Sequence, residues 1–223
     1  MNRRLFMHLL VFDVPAGNAP DFVAAELAKE LIARKIQGIV YADIMALRGV
    51  GLLTWSENPA HFVTDVRPIF ATEHVKHVKH VVMRPSFGML GRTYGIGHEP
   101  EIEHALLQRS VQNVLNPAHR WHVWYPLRRS GAFAKLEPQE QSGILREHAM
   151  IGMAYGQQEL AHDIRLACHG LDAEDNEFMI VIVGKDLHSI SHLVQTMRKT
   201  RQTSEFIAKM GPFFVGHVTH RSA

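Results

Sequence analysis

The feature that most limits what this chain can fold into is an order of elements that occurs twice. In the first pass, the apolar run Leu5–Phe12 ends at a PAGNAP turn, and DFVAAELAKELIARK then carries Phe22, Leu27 and Leu31 at helical spacing behind Asp21 as a cap. Two more apolar runs, QGIVYADIMAL and VGLLTW, are joined by a short Arg-Gly connection, which predicts paired strands. PAHFVTDVRPIFATEH follows as a second helix and HVKHVVMRPS as a fourth strand. From about Arg120 the order returns. RWHVWYPL is a strand, a long helix runs from about Pro138 to Gln158, IRLACHG and NEFMIVIVG are strands, LHSISHLVQTMRKTRQTSEFI is a helix and GPFFVGHV closes the set.

Two β-α-β-β-α-β units, each an antiparallel sheet with helices on one face, must bury the bare face of each sheet. Packing the sheets together predicts an α+β fold, two ferredoxin-like halves forming a dimeric, barrel-like α+β domain. The reading divides the chain into an N-terminal half at 1–84, a structured connector at 85–119 with a short helical stretch near Ile102 to Val114, and a C-terminal half at 120–223. With 223 residues, of which 46% are hydrophobic, there is enough apolar material for such a core.

Composition narrows the setting. A net charge of +2 lacks the concentrated basic footprint of a nucleic-acid binder, whereas small anionic ligands are compatible with it. The basic, apolar start is interrupted by Asp13 and Pro15 and reads as a strand, not a signal peptide. No stretch reaches the ~20 apolar residues of a membrane helix. The single Cys168 excludes a disulfide within one chain, so a cytoplasmic location is expected.

The segment with most chemical content is EPQEQSGILREHAMIGMAYGQQ. Ile144, Leu145, His148, Ile151, Gly152 and Tyr155 fall on one helical stripe, which turns His148 toward a core or a pocket. Gly152, one turn on, leaves flat space beside the imidazole. These residues alone fit a buried histidine bonded to a backbone carbonyl better than a ligand beside a planar macrocycle. In DIRLACHG, strand parity puts Arg165, Ala167 and His169 on one face, with Ile164, Leu166 and Cys168 on the other. Arg165 is either an edge residue reaching solvent or a cation able to hold an anion. Trp121, Val123 and Tyr125 share a strand face ahead of Pro126, Arg128 and Arg129, a set suited to a carboxylate-bearing ligand or to a core tyrosine with a solvated basic turn.

Other signals carry less. His74, His77 and His80 would suit a metal only on a helix, and that segment reads as a loop entering a strand. His188 and His192, four apart on a helix, lack a third ligand nearby in sequence. GMLGRTYGIG lacks the context of a dinucleotide fingerprint and is assigned no cofactor.

Four segments in order resemble the chlorite dismutase-like haem proteins, which include chlorite dismutases and peroxide-dependent coproheme decarboxylases. YPLRRS is similar to the family's Tyr-Pro motif with basic residues, and REHAMIGMAY resembles its ligand helix, with His148 seven residues before Tyr155. HGLDAEDNEF resembles its GLDD-x-EF turn, and MRKTRQTSEFIAKMGPFFVG its C-terminal stretch. The resemblance implies an iron porphyrin, haem b or coproheme, ligated by His148, with Gly152 beside it, and a homo-oligomer, either dimer or pentamer. It implies decarboxylation of coproheme by peroxide, with Tyr125 relaying a radical, Arg128 and Arg129 anchoring carboxylates, and Arg165 on the open side of the iron. His162 competes for that last role. Arg201 stands where many relatives carry a carboxylate. Chlorite conversion to chloride and dioxygen, with Arg165 holding the oxyanion, is the alternative enzyme; a haem carrier or haem-free scaffold is the third reading.

Overall fold

A computed structural model of the chain describes residues 3–71, 81–95 and 99–223. The first half contributes β1 (Phe6–Asp13), α1 (Pro20–Ala33), β2 (Gly38–Asp43), β3 (Gly49–Ser56), the two-residue β4 (Val82–Met83) and β5 (Met89–Thr93). A helical linker ending in α2 (Arg109–Leu115) leads to β6 (Trp121–Arg129) and the short α3 (Gly131–Ala134). Then follow α4 (Pro138–Gln157), β7 (His162–Ala167), β8 (Phe178–Gly184), α5 (Leu187–Met197), α6 (Arg201–Phe206), β9 (Ile207–Met210) and β10 (Phe214–Ser222).

Every strand pair among the described residues is antiparallel, in the order β10-β2-β3-β1-β5-β7-β8-β6-β9, with β4 beside β1. Because β10 pairs with both β2 and β6, the two half-sheets join at both seams and the sheet closes on itself. Closure removes the free edges between the halves. Met7, Leu9, Ile39, Leu53, Trp124, Leu166, Val181 and Val183 fill the interior from both halves. Gly51 and Gly216 make room there: a Cβ on either would lie 2.6–2.8 Å from Phe214 or Tyr41. The Tyr41 hydroxyl, from the first half, meets His122 Nδ1, from the second, at 2.8 Å.

The outer faces are covered separately. Val23, Leu27 and Leu31 of α1 pack on Val40 and Leu52, and Ile190 and Leu193 of α5 pack on Val123, Tyr125 and Ile182.

Several elements differ from the sequence expectation. The first half's fourth barrel strand is β5, inside the segment 85–119 read as a connector; only Val82 and Met83 of the expected strand pair with β1, and residues 72–80, with His74, His77 and His80, lie outside the described residues. β5 is short and rich in small and flexible residues, so its identity comes from the open edges of β1 and β7. The expected second helix is a π-helical turn at Phe62–Val66 followed by a 3-10 turn at Arg67–Phe70, where Pro68 cannot donate the hydrogen bond that would extend an α-helix. The helix read from Leu187 onward breaks at Thr200, which is extended (φ −69°, ψ 151°) and whose hydroxyl donates to the Met197 carbonyl at 2.7 Å, satisfying one of the carbonyls freed at the end of α5.

Candidate functional site

The face of β6, β7 and β8 that looks away from the barrel interior lies under α4 and α5. Parity on β7 is as expected: Ile164, Leu166 and Cys168 enter the barrel, while Asp163 and Arg165 face outward. On β6, Trp121, Val123 and Tyr125 share the outward face.

α4 supplies the imidazole. Of its 20 residues only Ile144 is buried, while His148, Ile151, Gly152 and Tyr155 on the same stripe are half-buried or partly exposed, and Leu145 is turned to solvent. His148 Nδ1 lies 3.3 Å from Thr200 Oγ1. The Thr200 proton is directed to the Met197 carbonyl, so its oxygen accepts and the imidazole donates. That tautomer leaves Nε2 as the free lone pair. Burial first, and then the Arg165 charge, push the His148 pKa down, which favours the neutral ring.

The opposite wall is apolar and incompletely covered: Phe178, Ile180, Ile207, Met210 and Phe213 are half-buried, whereas Met179, Val181 and Val183 on the inner face are sealed. Tyr125 is buried with its ring stacked on Phe213 at 4.6 Å, and burial pushes its phenol pKa well up, holding the proton on oxygen. Gly152 faces the tips of Met197 (3.5 Å from an ideal Cβ) and Asp163 (3.9 Å). The space beside the imidazole is therefore bordered by movable side-chain ends, not by backbone.

Guanidiniums edge this cleft. Arg129 Nε reaches Glu177 at 3.2 Å, and its plane lies over Phe133 and Phe178 at 4.6 and 4.7 Å. Arg128 points to Asp175 at 3.5 Å, away from Tyr125. Arg165 Nε is 2.9 Å from Asp163 Oδ2, and Arg109 approaches the same carboxylate at 3.7 Å. Arg109, Asp163 and Arg165 also line a polar cavity of about 50 Å³. Tyr94 lies close enough to Arg165 and Arg129 for both charges to oppose the upward pKa shift that burial gives its phenol.

A neutral imidazole with one free nitrogen, a half-covered apolar wall and cationic rim groups are the donor set and surroundings that an iron porphyrin carrying carboxylates requires. The residues present fit such a group. A family model described as chlorite dismutase matches residues 71–219. The chain belongs to the chlorite dismutase family. Solved structures agree in fold. A haem-binding protein from Thermus thermophilus superposes with a TM-score of 0.72 at 16% identity, covering 99% of this chain and 92% of that one. An arginine-to-glutamate variant of chlorite dismutase from Candidatus Nitrospira defluvii gives 0.72 at 12%, covering 97% and 92%. The same enzyme in complex with imidazole gives 0.72 at 11%, covering 97% and 91%. Comparison with curated proteins gives no match.

Within this chlorite dismutase-family fold, the structure brings His148, Gly152, Tyr125, Arg129 and Arg165 to one side of the C-terminal half-sheet, and Arg128 to its margin. His162 is held elsewhere, with Nε2 3.2 Å from Glu159 Oε2. Arg201 is drawn to the outside of α4 by Glu140 (2.8 Å) and also pairs with Glu205 (2.9 Å). Thr200, its neighbour, is what faces His148. Arg109, Glu177 and Phe213 join the site without having been singled out in the sequence, as do Asp163 and Thr200. Asp163 could have been found, because it shares a strand face with Arg165 two residues on. Thr200 could not, since it meets His148 only after the turn between α5 and α6 forms. His188 and His192 stack with ring centroids 6.1 Å apart, and His192 Nδ1 is bonded to the Tyr155 hydroxyl. Among the described residues no helix is long and apolar enough to cross a membrane.

Proposed function

We propose that the chain holds an iron porphyrin on His148 Nε2 and carries out peroxide-dependent oxidative decarboxylation of coproheme to haem. What supports this reading is the placement, on the outward side of the C-terminal half-sheet, of an α4 imidazole whose Nδ1 is engaged by Thr200 Oγ1 at 3.3 Å and of a buried β6 phenol stacked on Phe213 at 4.6 Å. When bound, the iron porphyrin supplies the redox reaction with peroxide.

The chain's own groups supply ligation, charge and a hydrogen source. Thr200 Oγ1 accepts from His148 Nδ1 and so aims Nε2 into the cleft. This acceptor is a neutral hydroxyl, which raises the basicity of the ring less than a carboxylate would. Tyr125, fixed by its stack on Phe213, offers an O–H bond from which hydrogen can be passed without moving the ring. Arg129, braced by Glu177 and two phenyl rings, is pre-oriented to receive a propionate carboxylate, and Arg128 adds charge at the margin. Arg165, steadied by Asp163 on the outward face of β7, is the cation we assign to the open side of the iron.

One observation favours chlorite as the alternative substrate: the small polar cavity bordered by Arg109 and Arg165 has room for a compact oxyanion. Its Asp163 carboxylate already neutralises part of that charge, which weighs toward decarboxylation. The test is titration of the purified chain with coproheme and with haem separately, followed by peroxide and mass spectrometry of the products. Stepwise loss of carbon dioxide from coproheme supports the reading. Dioxygen from chlorite without decarboxylation replaces it with the alternative, and neither product leaves a haem carrier or scaffold. The family resemblance also carries a cytoplasmic homo-oligomer, whose size light scattering of the purified chain would measure.

A further inference from the structure

We infer that His119, Glu159 and His162 form a binding site for a divalent transition-metal ion of the zinc class, apart from the His148 cleft. The three come from separate segments: the turn before β6, the turn after α4 and the first position of β7. One ligand atom from each lies within 4.8 Å of the others. The two imidazole rings are 5.0 Å apart, and His162 Nε2 is 3.2 Å from Glu159 Oε2.

Two imidazoles and one carboxylate make a donor set that suits zinc and leaves a fourth, open position. His119 is set for this use. Its buried ring donates Nδ1–H to the Asn113 carbonyl at 2.9 Å, which fixes the tautomer and leaves Nε2 as a lone-pair donor, the arrangement that supports histidine ligands at metal sites.

The end of α4 places Glu159 beside His162. α4 ends with Glu159 N–H on the Gly156 carbonyl and Leu160 N–H on the Tyr155 carbonyl, both at 3.0 Å, a helix ending whose left-handed residue is normally glycine. Here that residue is Glu159, at φ +53°, a conformation unfavourable for a side chain with a Cβ. The carboxylate so placed stands against His162.

Ligand atoms about 2.0–2.1 Å from a tetrahedral ion are roughly 3.4 Å apart; Glu159 and His162 already stand at 3.2 Å, and the widest separation in the set, at most 4.8 Å, has to close by up to about 1.4 Å. Glu159, 72% exposed, is the freest of the three to move, while His119 is held by its carbonyl partner. A bound ion would tie the end of the helix that carries His148 to β7 and to the entry of β6.

The test uses the full chain and Zn²⁺ as the probe, with binding followed by calorimetry and by elemental analysis after dialysis. Wild type and His188→Gln are expected to hold one tight equivalent per chain. Glu159→Gln, an exposed and nearly isosteric change, and His162→Gln are expected to weaken it by more than the roughly 10–100-fold that loss of a supporting partner costs. Co²⁺ bound in place of zinc should show ligand-field bands that the same two variants lose. His148→Ala should keep the tight equivalent, which separates this site from the porphyrin reading. Absence of a tight equivalent in wild type, or its retention in both Glu159→Gln and His162→Gln, overturns the inference.

Discussion

Replacing His148 with alanine should remove porphyrin ligation while leaving the fold almost intact. The ring makes one hydrogen bond, to Thr200 at 3.3 Å, long enough to be weak. Its loss strands nothing, because Thr200 still donates to the Met197 carbonyl at 2.7 Å. The ring is half-buried, and alanine is the better helix former, offsetting part of the lost packing. The net destabilisation is therefore about 1 kcal/mol, within the usual range for a hydrogen-bond deletion, and for a chain of this size the melting temperature should fall by only about 2–4 °C. The assay pairs thermal circular dichroism of the porphyrin-free chain with Soret and ferric-band spectra during titration with coproheme or haem. Wild-type bands in the variant would show that His148 is not the ligand. A fall in melting temperature several times the roughly 2–4 °C expected would show that the imidazole is chiefly structural.

Tyr125→Phe keeps the stack on Phe213 and should retain porphyrin affinity while losing decarboxylation; turnover near the wild-type rate would exclude the phenol as relay. Arg165→Ala should weaken cyanide or fluoride binding to the porphyrin-loaded chain, and an unchanged dissociation rate would take the residue out of the distal role. Tyr41→Phe leaves the buried His122 ring, whose Nε2 has no partner among the described residues, short of its Nδ1 contact as well, and should cost about 1–3 kcal/mol in urea unfolding with an unchanged slope; a wild-type midpoint would mean the two halves do not depend on this bond. Acid should destabilise the fold through His8 and His122, whose pKa values burial pushes down to about 4 and about 3. The unfolded chain takes up protons near pH ~6.5 that the folded chain refuses, so stability is full above that pH and falls below it by about 1 kcal/mol per pH unit for each ring. Urea midpoints that stay flat as the pH is lowered from neutral through the unfolded histidine range would show that both rings are hydrated.

The amino-acid sequence by itself determined which way most side chains of β6, β7 and α4 point, although Leu145 of the α4 stripe and Phe22 of α1 are exposed. The stripe that turns His148 inward on α4 and the alternation that separates Arg165 from Leu166 on β7 depend on backbone periods of about 3.6 and about 2 residues, which act over a short stretch of chain. Tyr125 sharing a face with Trp121 and Val123 is legible for the same reason. Tertiary structure decided the partners. Thr200 lies 52 residues from His148, Asp163 meets Arg109 from another segment, and His119, Glu159 and His162 converge only when α4, β6 and β7 are assembled. It also decided strand membership: β5 is a strand because β1 and β7 each leave an edge for it, and β10 crosses to β2 because the barrel must close. Local pattern carries the direction of a side chain, while pairing across the chain is fixed by which open edges and apolar faces remain to be covered, a property of the whole fold.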